Sequence, residues 1–383
     1  MTPRTYTTWV IAGCLALLVP VLVLNLLLIN NDYRYDKNRL ASQWQHETGG
    51  VTYAPPITSN RAFKTLRAND RLAEINALVF GSSTALSITA DAFPAGIQAY
   101  NFAQTGNPLR MVIGEAGYVV DHWSSRVRWL VIPLDWALGF VYEVEASSPV
   151  DLSVAAVVPP AAPPVAVQLR EALSLPRITN LAKILKEIFS APDQRAAVRH
   201  FFTAPAADPY RCSDGVMARD YDTIFRGQCV GFRADGSATF ADQKRVTAGT
   251  APGVLAQAAS ASSQYVRALA RSAGQPDAAL LARLAGLLQQ ARARDMRVLL
   301  FMPPLLPGLD ARLAASPHSG VQLARTKAVL QDWARQQHIV LFDAGPSELQ
   351  GCAATEFIDA HHALPACYRK VFARMFAAHP AVP

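Results

Sequence analysis

The sequence predicts an α/β protein with a five-stranded parallel sheet, tied to a membrane by one N-terminal helix. Three observations predict it. Short apolar runs alternate with stretches of helical periodicity from about residue 75 to the C-terminus. One apolar run near the start is long enough to cross a bilayer. Four of the five cysteines fall into two sequence-local pairs outside that run.

Size and charge narrow the function classes. A chain of 383 residues buries one large core or two ordinary ones. It is 51% hydrophobic and 17% charged, with a formal net charge of +7. Its 36 lysines and arginines are scattered, without a basic block or interleaved aromatics, which argues against nucleic-acid binding. A mildly basic surface suits anionic lipid or polysaccharide.

The apolar run is "WVIAGCLALLVPVLVLNLLLI", Trp9 to Ile29, broken only by Pro20 and Asn25. Roughly 20 residues of helix span a bilayer core, and the run exceeds the apolar core of about 7–15 residues of a cleavable signal. It therefore reads as an uncleaved anchor over residues 1–30. "IAGC" resembles a lipoprotein cleavage box, but most of the run follows Cys14, which argues against lipidation. Flanking charge does not orient the anchor outward: Arg4 precedes it, while Arg34, Lys37 and Arg39 follow, with Asp32 and Asp36 between. The cysteines do. With no CxxC or Cys/His metal spacing, Cys212–Cys229 and Cys352–Cys367 read as two disulfides in an oxidising compartment.

Residues 31–74 are polar, with "TYAPPITSNR" among them, and read as a linker. Residues 75–383 then form one domain. Strands are expected at 75–80, 98–103, 129–134, 297–305 and 339–345, each an apolar run of the kind a buried parallel sheet needs. Helices are expected at 107–123, 277–296, 321–338 and about 366–378, between or after these strands. The stretch 145–255 breaks the rhythm and reads as an insertion. It holds an Ala/Val/Pro segment read as a loop or lid, amphipathic helices at 167–189 and 193–202, and a hairpin closed by Cys212–Cys229.

Ligands of an open parallel sheet bind at the carboxyl ends of its strands. The first strand ends in Gly81-Ser82-Ser83, the second leads to Gly106-Asn107, and the third ends at Asp135. Beyond the fifth lies "FIDAHHALPACYRK", which sets Asp359 three residues before His362, with His361 alongside and a cysteine on either side. A serine, a glycine turn and an Asp–His pair are the parts for acyl transfer. Ser83 would be the nucleophile, His362 its base, and Asp359 the group that fixes the imidazole tautomer. The amides of Ser83 and Gly106 would hold the oxyanion, with Asn107, Asp135 and His361 as further oxyanion or substrate-side residues. Other readings of the same residues stay open: Ser83 as a helix N-cap, Asp359 as a cap of the last helix, Asp135 as a strand-end group bonding a loop amide.

In these residues the sequence resembles the SGNH (GDSL-like) hydrolase superfamily, and within it the membrane-anchored extracytoplasmic branch of D-alanyl transfer and polysaccharide O-acetylation proteins. "VFGSST" resembles the first block, "NFAQTG" the second and "DAHH" the terminal Asp-x-x-His block. The sequence departs from the family pattern at Ser82, where the family name has Asp, and at "IPLDW", where Asp135 stands in place of a Gly-x-Asn block. The resemblance implies a flavodoxin-like three-layer fold and a serine-dependent O-acyltransferase that moves an acyl group, acetyl foremost, onto a cell-surface polysaccharide. It also implies a membrane-bound O-acyltransferase partner and a single-pass location in a bacterial inner membrane, with the domain in the periplasm. No metal or nucleotide cofactor is indicated. The alternatives are a carbohydrate or lipid esterase of the same fold, a non-catalytic accessory subunit of a polysaccharide-modification complex, and a cytoplasm-facing domain whose four cysteines stay free.

Overall fold

A computed structural model of the chain describes residues 2–53, 60–136, 150–158, 163–190, 206–221, 227–240 and 245–378. Helix α1 (Pro3–Tyr35) carries the apolar run, is long and apolar enough to cross a membrane, and leaves most of that run exposed. After it come α2 (Lys37–Thr48), β1 (Val51–Tyr53) and α3 (Arg61–Asp70). The linker expected over 31–74 is thus largely ordered structure. Its polarity misled because several polar residues are buried here: Ser42 and Gln45 on α2, and Lys64, Thr65 and Arg67 on α3. The expected helix at 193–202 lies outside the described residues.

The five expected strands form one parallel sheet: β2 (Ala77–Val79), β3 (Ala99–Asn101), β4 (Trp129–Pro133), β9 (Arg297–Met302) and β10 (Leu341–Asp343). Their spatial order is β10-β9-β4-β2-β3, every neighbouring pair parallel. Taken in chain order this is 2-1-3-4-5, so the chain reverses direction across the sheet beside β2, and a crevice opens at the carboxyl end of that strand. β2 and β4 are buried along their whole length, as the unbroken apolar runs of their sequences require. Helix α4 (Leu109–His122) crosses from β3 to β4 and packs beside helix Ala278–Arg292, the crossover to β9. Right-handed crossovers put both on one face. The C-terminal helix Pro365–Ala378 packs against the turn Ala90–Ala92, where Phe93 meets Phe372 edge-on at 4.9 Å.

A second sheet has the order β5-β6-β1-β7-β8, with β5 (Tyr210–Arg211), β6 (Met217–Asp220), β7 (Val230–Phe232) and β8 (Ala238–Phe240). β1 lies at its centre, parallel to β6 and antiparallel to β7. The hairpin expected around Cys212–Cys229 is therefore part of a larger sheet completed by a strand from before the main domain. Three residues of β1 are too few for a period-2 pattern to reveal. This sheet abuts the main one: Asn101 N–H donates to Asp235 O at 2.7 Å, and Ala238 N–H to Leu86 O at 2.8 Å. Both disulfides are formed, Cys212–Cys229 and Cys352–Cys367.

Candidate active site

Ser83 sits immediately beyond β2, at the crevice. Two residues past β2 lies Gly81, whose φ of +128° suits glycine alone, and a Cβ there would lie 2.5 Å from Pro133 Cγ of the neighbouring strand. Ser82 is extended, and Ser83–Ala85 then make one turn of 3₁₀ helix. Two buried side chains hold that turn. Asn101 Nδ2 donates to Ala85 O and Ile88 O, each at 2.8 Å, and Tyr368 Oη donates to Thr84 O.

The acid and the base lie on a loop pinned at both ends. Phe357 and Ala363 form an isolated antiparallel bridge, Ile358 N–H donates to His362 O at 3.0 Å, and Leu364 N–H donates to Glu356 O at 2.8 Å. Leu306 N–H donates to Ala360 O at 2.9 Å, and Cys352–Cys367 closes the segment from outside. Within the loop, Asp359 Oδ1 accepts the amides of His361 and His362, each at 2.9 Å, and Oδ2 lies 2.7 Å from His362 Nδ1. His362 Nε2 lies 2.9 Å from Ser83 Oγ. Asp359 is ionised, so His362 Nδ1 donates to it, which leaves Nε2 to accept the Ser83 hydroxyl proton. Burial alone would raise the Asp359 pKa, but the His362 hydrogen bond and the two imidazoles hold it well below the ordinary carboxylate value.

The glycine turn after β3 is set by a buried polar cluster. Gln104 N–H donates to Gly81 O at 3.0 Å, which joins this turn to the serine turn. Gly106 has a φ of +67°, and among the described residues its amide and that of Ser83 donate to no other backbone group. Beneath it, fully buried Glu115 accepts from Gln104 Nε2 (2.7 Å), Asn107 Nδ2 (2.8 Å) and Arg61 Nε (2.9 Å). Burial raises the Glu115 pKa, opposed by the Arg61 charge. Asn107, expected as an oxyanion or substrate-side residue, instead engages its side chain with Glu115 and with Arg61 Nη2, at 3.4 Å from Asn107 Oδ1. Its geometry fits a residue that holds the Gly106 turn. Lys64, fully buried on α3, donates to Asn101 O (3.0 Å) and Ala103 O (2.6 Å), and burial lowers its pKa well below the usual lysine value.

His361 and Asp135 share a small cavity beside the serine turn. They line this space of about 10 Å³, about one water in size, together with Thr84, Trp136, Tyr265 and Leu305. His361 is largely buried rather than at the surface. Its Nδ1 is hydrogen-bonded to Tyr265 Oη, and its ring lies 4.0 Å from that of His362, centroid to centroid. Burial, with the His362 imidazole beside it, brings the His361 pKa down to about 4 against the pull of Asp359, so the ring is neutral near pH 7. Burial likewise pushes the Tyr265 phenol up, so it stays protonated.

Ser83, His362, Asp359, Gly106, Asp135 and His361 thus come to one sheet edge from four separate segments. Sequence reading did not find Tyr265, Glu115, Arg61 or Lys64. Tyr265 opens a short helix, Gln264–Ser272, in the stretch that follows the insertion, and nothing in its local pattern marks it. Asp359, His361 and His362 bring three potential metal-ligand atoms within 4.8 Å of one another. A cation there would compete for the Asp359–His362 hydrogen bond that orients the base. Cys352, Glu356 and Cys367 also cluster, but the two sulfurs are bonded to each other. Comparison with protein-family models, with curated proteins and with solved structures gives no match for this chain.

Proposed function

We propose that this protein is a membrane-anchored extracytoplasmic serine acyltransferase of SGNH type, with Ser83, His362 and Asp359 as its catalytic triad. The observation that carries the reading is the unbroken hydrogen-bonded line from Asp359 Oδ2 to His362 Nδ1 and from His362 Nε2 to Ser83 Oγ, at 2.7 and 2.9 Å. Three further facts support it. The parallel sheet has the 2-1-3-4-5 order of flavodoxin-like doubly wound folds, and the serine sits at its switch point. The Ser83 turn, the Gly106 turn and the Asp359–His362 loop are joined at one edge of the sheet by the Gln104–Gly81 and His362–Ser83 hydrogen bonds. Two disulfides and an apolar N-terminal helix fit a periplasmic domain on a single-pass anchor in a bacterial inner membrane. In this reading β5–β8 and the helices of 145–255 are an insertion into the SGNH domain, and β1 joins their sheet from before it.

In the first half-reaction Ser83 Oγ attacks the acyl carbon of a donor ester while His362 Nε2 takes its proton. Asp359, ionised and bonded to Nδ1, stabilises the imidazolium that forms. The amides of Ser83 and Gly106 donate to the tetrahedral oxyanion, each worth about 3 kcal/mol. Collapse expels the donor alcohol, which takes its proton from His362 and leaves an ester on Ser83. In the second half a sugar hydroxyl, deprotonated by the same nitrogen, attacks that ester, and the Ser83 oxygen leaves with the proton from His362, which frees the acylated sugar. Water in place of the sugar gives the esterase reaction.

The test is to incubate the full chain with p-nitrophenyl acetate and map the acylated peptide by mass spectrometry. Acetate on the peptide holding Ser83, lost in Ser83→Ala, supports the reading. Turnover with no acyl group on that peptide would count against a Ser83 intermediate. No turnover and no acylation, with the protein folded, favours the non-catalytic accessory subunit.

A further inference from the structure

Asn25 interrupts the apolar run of α1, and its surroundings account for it. The side chain is fully buried, and Nδ2 donates to Ala172 O at 2.7 Å. Ala172 is the last residue of the helix Val165–Ala172, whose final carbonyls have no partner within their own helix. A turn further along α1, Leu28 closes against Leu181, Ile184 and Ile188 of the helix Leu175–Ser190, in a cluster separate from the main core. Val21 and Leu24 pack on the same cluster. At about 1.5 Å per residue, this contact lies within about 12 Å of the Ile29 end of the apolar run. Two helices of the insertion are therefore fastened alongside the part of α1 that would lie in one leaflet.

The outward surface of these helices is apolar. Val165, Leu175 and Phe189 are 70%, 77% and 70% exposed, and Leu169 and Leu173 are exposed beside them. On α1, against which both helices pack, Val23 and Leu27 are also exposed. The stretch 165–190 carries Arg170, Arg177, Lys183 and Lys186 against Glu171 and Glu187. Lys183 and Lys186 are exposed. A helix with one apolar face and a net basic polar face is the form that lies in the interface of an anionic bilayer.

We propose that helices 165–172 and 175–190 form a membrane-seated collar around the end of α1, and that lipid acyl chains cover their apolar face. The basic residues then lie among anionic headgroups, and Asn25 completes a carbonyl that no water reaches in that setting. A soluble protein seldom leaves apolar side chains of this kind uncovered, and the packing of both helices against the anchor selects lipid over a protein partner. The inference rests on α1 being a membrane anchor. It adds that the domain is seated on the bilayer at two places rather than hung from one, which fixes the height of Ser83 above the surface.

The test uses the full chain in liposomes of phosphatidylcholine and phosphatidylglycerol. In a Cys14→Ser background, Leu18→Cys, Leu169→Cys, Leu175→Cys and Val321→Cys each carry a fluorophore, and the lipid chains carry bromine as a quencher. Val321 is exposed on the helix Gly320–Gln336 and serves as the water-facing control. The collar predicts several-fold more quenching at Leu169 and Leu175 than at Val321, approaching that at Leu18. Quenching at Leu18 alone overturns the collar and leaves the anchor standing. Equal, weak quenching at all four positions overturns both.

Discussion

Ser83 and His362 stand 279 residues apart in the chain and 2.9 Å apart in space. Almost every order-giving contact around them belongs to the loops and not to the pair itself. The serine is aimed by Gly81 and by the Asn101 side chain, the imidazole by Asp359 and the Phe357–Ala363 bridge. Three side chains held this way keep one fixed geometry without help from a ligand.

Removing Asp359 tests that arrangement. Asp359→Asn changes the tautomer that His362 is given and is expected to cost about 10⁴-fold in turnover. The variant keeps an acceptor for the two loop amides, so its fold should survive, as circular dichroism will report. A chelator should leave wild-type turnover unchanged. Loss of activity with EDTA and its return with a divalent cation would favour the metal reading of Asp359, His361 and His362.

The buried lysine makes a separate prediction. Lys64→Met keeps the volume but leaves Asn101 O and Ala103 O without their donor, at a cost of about 2–4 kcal/mol. Urea unfolding should show the loss. Turnover in the folded fraction should fall as well, because those carbonyls lie on the strand end that leads to the Gly106 turn.

The Cys352–Cys367 bridge closes the loop that bears the acid and the base. Replacing both cysteines with alanine should lower stability by about 3 kcal/mol. Turnover should fall more steeply with temperature than in wild type, since that loop would open before the sheet melts.

The stability of the protein should depend on pH through His361. Its folded pKa of about 4 lies below the ordinary value of 6.5, so the unfolded chain binds more protons between those limits. Stability therefore falls as pH drops from about 6.5 to 4, by a total on the order of 3 kcal/mol. The depressed Asp359 adds its own loss only at pH below the ordinary aspartate value. Thermal melts of His361→Gln should be flat over the upper window where wild type slopes.

The strands were legible because a parallel sheet buried on both faces writes itself as unbroken apolar runs, such as Ala77–Phe80 and Trp129–Leu134. The meeting of Ser83, Asp359 and His362 was legible because loops that follow the strands of a parallel sheet gather at its carboxyl edge. What escaped is the ground on which they rest. Lys64 and Arg67 on α3 look solvated in sequence, and only tertiary packing shows them buried against backbone carbonyls and Gln45. Asn107 resembled a donor to substrate, yet a carboxylate eight residues further on, Glu115, takes its amide. β1 is three residues long, and its partners, β6 and β7, come from 167 residues or more downstream in the chain, counting from Val51 to Ala218. Short strands paired across such distances carry no local signature.

The central claim is that Ser83 is an activated nucleophile. Labelling of the folded, disulfide-bonded full chain with a serine-reactive fluorophosphonate tests it most directly, with Ser83→Ala and His362→Ala as controls. The account predicts a label on the wild type that maps to Ser83 and is lost in both variants. A wild type that stays unlabelled, or a label that persists in Ser83→Ala, would contradict it.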